Sequence, residues 1–124
     1  MTETMTVEEY HDYLRGGKCK LPGPDATEAV WQANVEQEFR KNGWLVYHAR
    51  KPKRDTAGFP DLVATHPIWH RTVIAELKTK GRRVTPEQEA WLESFTLSGF
   101  VVYTWRFPEH WNHVERVARG GEQN

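Results

Sequence analysis

Asp61 directly follows Pro60, fourteen residues separate it from Glu76, and Lys78 stands two places further on. Fourteen residues fit a strand, a turn and a return strand, which puts Asp61 and Glu76 on adjacent strands a few ångströms apart. Two carboxylates held that close repel unless something cationic sits between them. Their hard oxygen donors suit Mg²⁺ or Mn²⁺. In Val73-Ile74-Ala75-Glu76-Leu77-Lys78-Thr79 the odd positions form an apolar face, so Glu76 and Lys78 share the other face with Ile74. On its own, Glu-x-Lys also fits a half-exposed strand whose outer face carries an ion pair worth at most about 1 kcal/mol.

The surrounding sequence supplies elements that can position these residues. Thr6 with Glu9 makes a capping box for a short helix through Leu14, stopped by Gly16-Gly17, and the Lys18–Pro24 segment reads as a linker. Residues 1–24 are therefore expected as an arm, 25–119 as the domain and 120–124 as a tail. From Asp25 to Asn42, Trp31, Val35 and Phe39 recur at helical spacing before Gly43. Trp44 to His48 reads as a strand, as do residues 61–65 and 72–79, with a turn around Pro67. Thr85 caps the next helix, with Pro86 first, Gln88 closing a capping box and Trp91, Leu92 and Phe95 as its apolar stripe; Gly99 ends it. Residues 100–105 form a fourth strand and 108–119 a last amphipathic helix. The expected order is α-β-β-β-α-β-α, an α/β layer protein with a mixed sheet flanked by helices.

The chain has 124 residues, 38% of them hydrophobic, which is enough for one domain with a real core. One cysteine, Cys19, excludes an internal disulfide, and no apolar run nears a membrane span or forms an export leader, so a soluble cytoplasmic protein is expected. Seventeen basic side chains balance seventeen acidic ones. The balance is uneven along the chain: residues 1–49 carry net −3, residues 50–83 net +6 and residues 84–124 net −3. The cationic middle consists mainly of Arg50, Lys51, Lys53 and Arg54 ahead of Asp61, and Lys80, Arg82 and Arg83 after Lys78. These side chains could bind backbone phosphates without reading sequence.

Pro60-Asp61, fourteen residues, then Glu76-Leu77-Lys78 is similar to the signature of the PD-(D/E)XK nuclease superfamily. The wider pattern narrows the likeness. Glu28 with Gln32, Gly58-Phe59-Pro60-Asp61-Leu62-Val63, Ala75-Glu76-Leu77-Lys78-Thr79 and Thr85-Pro86-Glu87-Gln88 before Trp91-Leu92 and Gly99 resemble a stand-alone VRR-NUC domain of phages and bacteria. That resemblance implies a restriction-endonuclease-like fold and an Mg²⁺-dependent endonuclease, with Mn²⁺ as a substitute. It makes Asp61 and Glu76 metal ligands, joined by the Leu77 carbonyl, and gives Lys78 the orientation of water or stabilisation of the transition state. It also implies branched DNA such as Holliday junctions or flaps as substrate, and a homodimer that makes paired cuts. A nicking or restriction-type enzyme on linear duplex and a non-catalytic binding protein are the alternatives.

Several residues have two readings. Glu28 is either the capping-box partner of an Asp25 cap or a ligand to the metal or its water; its place on the stripe of Gln32, Val35 and Phe39 favours the second. Gln88 is either the partner of Thr85 or associated with the site, as Gln32 is. His48, at a strand end, is a candidate contact. The spacings of His66 with His70 and of His110 with His113 occur in metal sites, but Pro67 and the lack of cysteine pairs speak against zinc.

Overall fold

A computed structural model describes residues 21–23, 25–48 and 57–121, with the side chain of His48 excluded. The expected short helix at residues 6–14 and the cluster Arg50, Lys51, Lys53 and Arg54 lie outside the described residues. The elements are α1 (Glu28–Lys41), β1 (Leu45–His48), β2 (Leu62–His66), β3 (Arg71–Thr79), α2 (Pro86–Leu97), β4 (Val101–Phe107) and α3 (Trp111–Ala118), in the order expected from the sequence.

The helix ends follow from local chemistry. Thr27, extended at φ −73° and ψ 165°, caps α1 by accepting from the Val30 amide at 3.3 Å. The cap is therefore two residues later than Asp25, because Thr27 is the residue whose hydroxyl meets the third amide of the helix. Thr85 and Gln88 form the expected reciprocal capping box on α2, with the Thr85 amide bonded to Gln88 Oε1 at 2.9 Å. The three helices of the described residues stop in one way. Gly43, Gly99 and Gly120 have φ of 94°, 95° and 86°, and each lies in a pair of backbone bonds of the Schellman type, such as Gly43 N to Arg40 O and Trp44 N to Phe39 O.

Four strands form one sheet in the order β1-β2-β3-β4. β1, β2 and β3 pair antiparallel, while β3 and β4 are parallel. A parallel pair needs a crossover, and α2 supplies it. On one face, Leu62, Ala64, Val73, Ala75, Leu77, Trp105 and Phe107 pack with Trp31, Val35 and Phe39 of α1 and with Trp111, Val114 and Val117 of α3. Trp31 stacks on Phe107 with centroids 4.9 Å apart. α2 packs against β3 and β4. Ile74 and Leu92, both buried, lie outside the main core cluster.

Two-sided coverage changes the character of β3. Its residues Val73 to Lys78 are all buried, with Glu76 1% and Lys78 3% exposed. The half-exposed strand with a surface ion pair is thus excluded. The stripe on α2 is correspondingly less buried than its spacing suggests: Leu92 is inside, but Trp91 is 37% exposed.

His66 is structural. Its Nδ1 accepts from the amides of Ile68 and Trp69 at 3.3 and 3.1 Å, which leaves the proton on Nε2 to donate to the Asn42 carbonyl at 3.0 Å. The ring stacks on Trp69 at 3.9 Å and meets Trp44 edge-on at 5.3 Å. Both nitrogens are therefore engaged in joining the β2–β3 turn to the end of α1. We expect His66→Ala to lower unfolding free energy by about 2–4 kcal/mol in urea titration, and His66→Asn, which keeps a short acceptor, to lose less. A change below about 0.5 kcal/mol would show the turn to be independent of the ring.

Candidate active site

The site forms where β2 ends and β3 continues. The last register pair is Leu62 with Ala75, so Asp61 and Glu76 are the next positions along, on the face away from the main core. Beyond that rung β3 has no β2 residue opposite it, and side-chain carboxylates meet its amides instead. Asp61 Oδ2 accepts from the Leu77 amide at 3.0 Å, and Glu28 Oε2 from the Thr79 amide at 3.4 Å. The Leu77 peptide, whose carbonyl the sequence reading offers as a third oxygen, therefore borders the carboxylate pair.

Two further supports hold Asp61. From α1, Gln32 Nε2 donates to the Asp61 carbonyl at 3.0 Å and to Glu36 Oε2 at 3.1 Å. From α2, Trp91 Nε1 donates to the Ala57 carbonyl at 3.2 Å, while Phe59 packs edge-on against Trp91 and Phe95 with centroids 5.0 and 6.2 Å away. Gly58 makes that docking possible. It has φ 86°, and a Cβ there would lie 2.6 Å from the Glu87 carbonyl carbon. Pro60 is buried behind this brace, and Asp61 follows it into β2. The brace was not legible as such: spacing marks Trp91 and Phe95 as an apolar stripe but does not say what they cover.

Lys78 Nζ lies 3.5 Å from Glu76 Oε2. Glu76 Oε1 is buried with no hydrogen-bond partner. Burial first, then the nearby Asp61 charge and a hydrogen bond with the Asp61 carboxyl, push Glu76 up to about 8, with Lys78 opposing. Burial also raises Asp61, against the Leu77 amide, and the Glu28 charge adds to the rise. Two carboxyls this close can hydrogen-bond to each other only while one holds a proton. With both ionised, the single ammonium of Lys78 leaves the pair one negative charge in excess.

These observations fit a divalent cation. Two hard, desolvated carboxylates, one with an orphaned oxygen, offer what such an ion takes from a protein. Among the described residues no three His, Cys, Asp or Glu side chains converge on a single point. Glu28 accordingly stands beside the pair, bonded to Thr79 and felt at Asp61 through its charge. Gln88 is occupied in the α2 capping box, and His48 ends β1 with its backbone opposite Leu62. Lys80, Arg82 and Arg83 are exposed on the turn that follows β3. The second histidine pair, already a poor case for zinc, is engaged elsewhere: His110 Nδ1 accepts from the Arg106 amide and His113 Nδ1 from Trp105 Nε1, both at 2.8 Å.

The family model of the VRR-NUC domain matches residues 3–106. The chain belongs to the VRR-NUC family. That family is part of the PD-(D/E)XK nuclease superfamily, and the mixed sheet with its flanking helices is consistent with a restriction-endonuclease-like core. No curated protein and no solved structure matches the chain. The VRR-NUC match starts well ahead of Asp25 and ends at Arg106, so it takes in Asp61, Glu76, Lys78, Glu28 and Gln32 and marks a nuclease domain. Among the described residues no helix is long and apolar enough to cross a membrane.

The raised carboxyls have a thermodynamic consequence. Between the ordinary glutamate value of 4.5 and about 8, the folded metal-free protein holds more protons at this pair than the unfolded chain does. Its stability therefore falls as pH rises through that window, with a slope approaching about 1.4 kcal/mol per pH unit for one proton. In chelator, wild type should lose stability relative to Glu76→Gln between pH 5 and 8 in denaturant titrations. A difference that stays flat or grows in favour of wild type would contradict the raised Glu76 carboxyl.

Proposed function

We propose that the protein is an Mg²⁺-dependent endonuclease that hydrolyses DNA phosphodiester bonds, and that branched DNA is its preferred substrate. The observation that carries this reading is the half-buried Asp61 beside the buried Glu76, one of whose oxygens lacks a partner, with Lys78 3.5 Å from Glu76. Asp61 and Glu76 would hold the cation, with the Leu77 carbonyl beside them and Glu28 acting through a water. When bound, the cation neutralises phosphate charge and makes an attacking water more acidic.

The chain's own groups do the rest. Lys78 presents its ammonium from a buried strand position, where a fixed charge costs no reorganisation and is weakly screened. It orients the attacking water or binds the phosphate oxygens as negative charge develops on them. Gln32 keeps the Asp61 backbone in place from α1, and the Phe59–Trp91–Phe95 brace does so from α2. Lys80, Arg82 and Arg83 contact phosphates on either side of the break, together with Arg50, Lys51, Lys53 and Arg54. A homodimer would provide two such sites for paired cuts across a junction.

The test is cleavage of a synthetic four-way junction, a flap and linear duplex with Mg²⁺ or Mn²⁺. Wild type should cut the junction or flap faster than duplex, and Asp61→Asn and Lys78→Ala should each slow cutting at least about 100-fold. Equal cutting by wild type and both variants would remove these residues from catalysis. Absence of cutting with either metal would favour a binding protein, and preference for linear duplex a nicking or restriction-type enzyme.

A further inference from the structure

We propose that Arg106 is a phosphate-binding residue of this site, a second cation beside Lys78 that grips the DNA backbone next to the bond to be cut. The proposal rests on the nuclease reading and adds a residue that the sequence pattern did not single out. β3 and β4 are parallel, and Arg106 is the register partner of Lys78. The neighbouring partners Leu77 and Trp105 both point into the main core. Alternation along a strand therefore puts Lys78 and Arg106 side by side on the opposite face, with Glu76, on strands about 4.8 Å apart.

The guanidinium is aimed. Arg106 Nη1 donates to the Arg82 carbonyl at 2.5 Å, which draws the side chain toward the turn after β3, where Arg82 and Arg83 are exposed. One of its five N–H donors is used there. Among the described residues Arg106 makes no ion pair, whereas Arg40, Lys41, Lys78 and Arg119 each lie within 4 Å of a glutamate. A guanidinium on a half-buried arginine, held by a carbonyl and lacking a carboxylate, is prepared for an anion from outside the chain, and its planar fork matches two phosphate oxygens.

The same face restricts where that phosphate can lie. Further along β4, Thr104 and Val102 border a groove walled by Glu89 and Glu93 of α2. Those carboxylates disfavour a polyanion, so the backbone is confined to the end of the sheet that carries Lys78, Arg106 and the exposed turn. Arg106 thereby joins the active-site lysine to the basic residues that follow β3.

Binding separates this role from a merely structural one, in which Arg106 only holds the Arg82 turn. The affinity of the full chain for a synthetic four-way junction is measured across salt concentrations in an Asp61→Asn background, which prevents cutting. Arg106→Gln should weaken binding several-fold at moderate salt and lower the slope of log K against log salt by about 0.9. Arg106→Lys should restore the slope while binding more weakly than wild type. An unchanged slope in a folded Arg106→Gln protein overturns the proposal, as does a lowered melting temperature with unchanged DNA binding. If Arg106→Gln does not fold, Arg106→Lys decides: wild-type affinity overturns the proposal, and reduced affinity with the wild-type slope supports it. Cleavage by the protein with Asp61 intact is scored separately. A slope that drops in a protein that never cuts keeps the phosphate contact and rejects the nuclease reading; cutting with an unchanged slope does the reverse.

Discussion

β3 runs on past the end of β2, and on that edge the stretch beyond it has to be satisfied by something other than sheet. Past the rung of Leu62 and Ala75, the amides of Leu77 and Thr79 are taken by the carboxylates of Asp61 and Glu28. A buried amide without a partner costs about 1–3 kcal/mol, so acidic side chains at this point complete the backbone bonding as well as serving chemistry. The same requirement draws the N-terminus of α1 to the end of β3. It explains how residues from positions 28, 61 and 76–79 come to one place.

Charge burial is the second constraint. Glu76 and Lys78 sit between the sheet's covered faces, where removing water from either is expensive and their mutual attraction at 3.5 Å only partly offsets it. With Asp61 added, acids outnumber the local base, and burial beside that second carboxylate pushes Glu76 up to about 8. A protein selected only for stability would use apolar residues on this strand. On the proposed function, three ionisable groups here are the stability cost of a site organised before its cation arrives.

Much of this was legible because it is local. The glycines that stop the helices need positive φ, and Thr85-Pro86 with Gln88 has one cheap conformation, so their positions in the sequence translate directly into structure. The pairing of Asp61 with Glu76 was legible from the length of chain between them. What failed to show depends on tertiary coverage. Alternation in β3 suggested one exposed face, but the crossover helix covers it. Asp25 and Thr27 are both good caps, and only the backbone angles at Thr27 decide between them. Arg106 looks like any charged residue on a strand until a parallel register, which no local pattern specifies, sets it beside Lys78.

The contact of Gly58 with the backbone of Glu87 links two stretches of chain that the active-site motif treats as separate. Because the loop lies flush on α2, displacement of that helix is transmitted to Asp61 without touching a reacting atom. The set of positions at which substitution abolishes function should therefore extend beyond the acids and the lysine. It includes a residue whose contribution is to have no side chain, and aromatic residues on a helix that faces partly outward. On this geometry, tolerance to mutation is expected to follow the path of the brace rather than distance from the carboxylates.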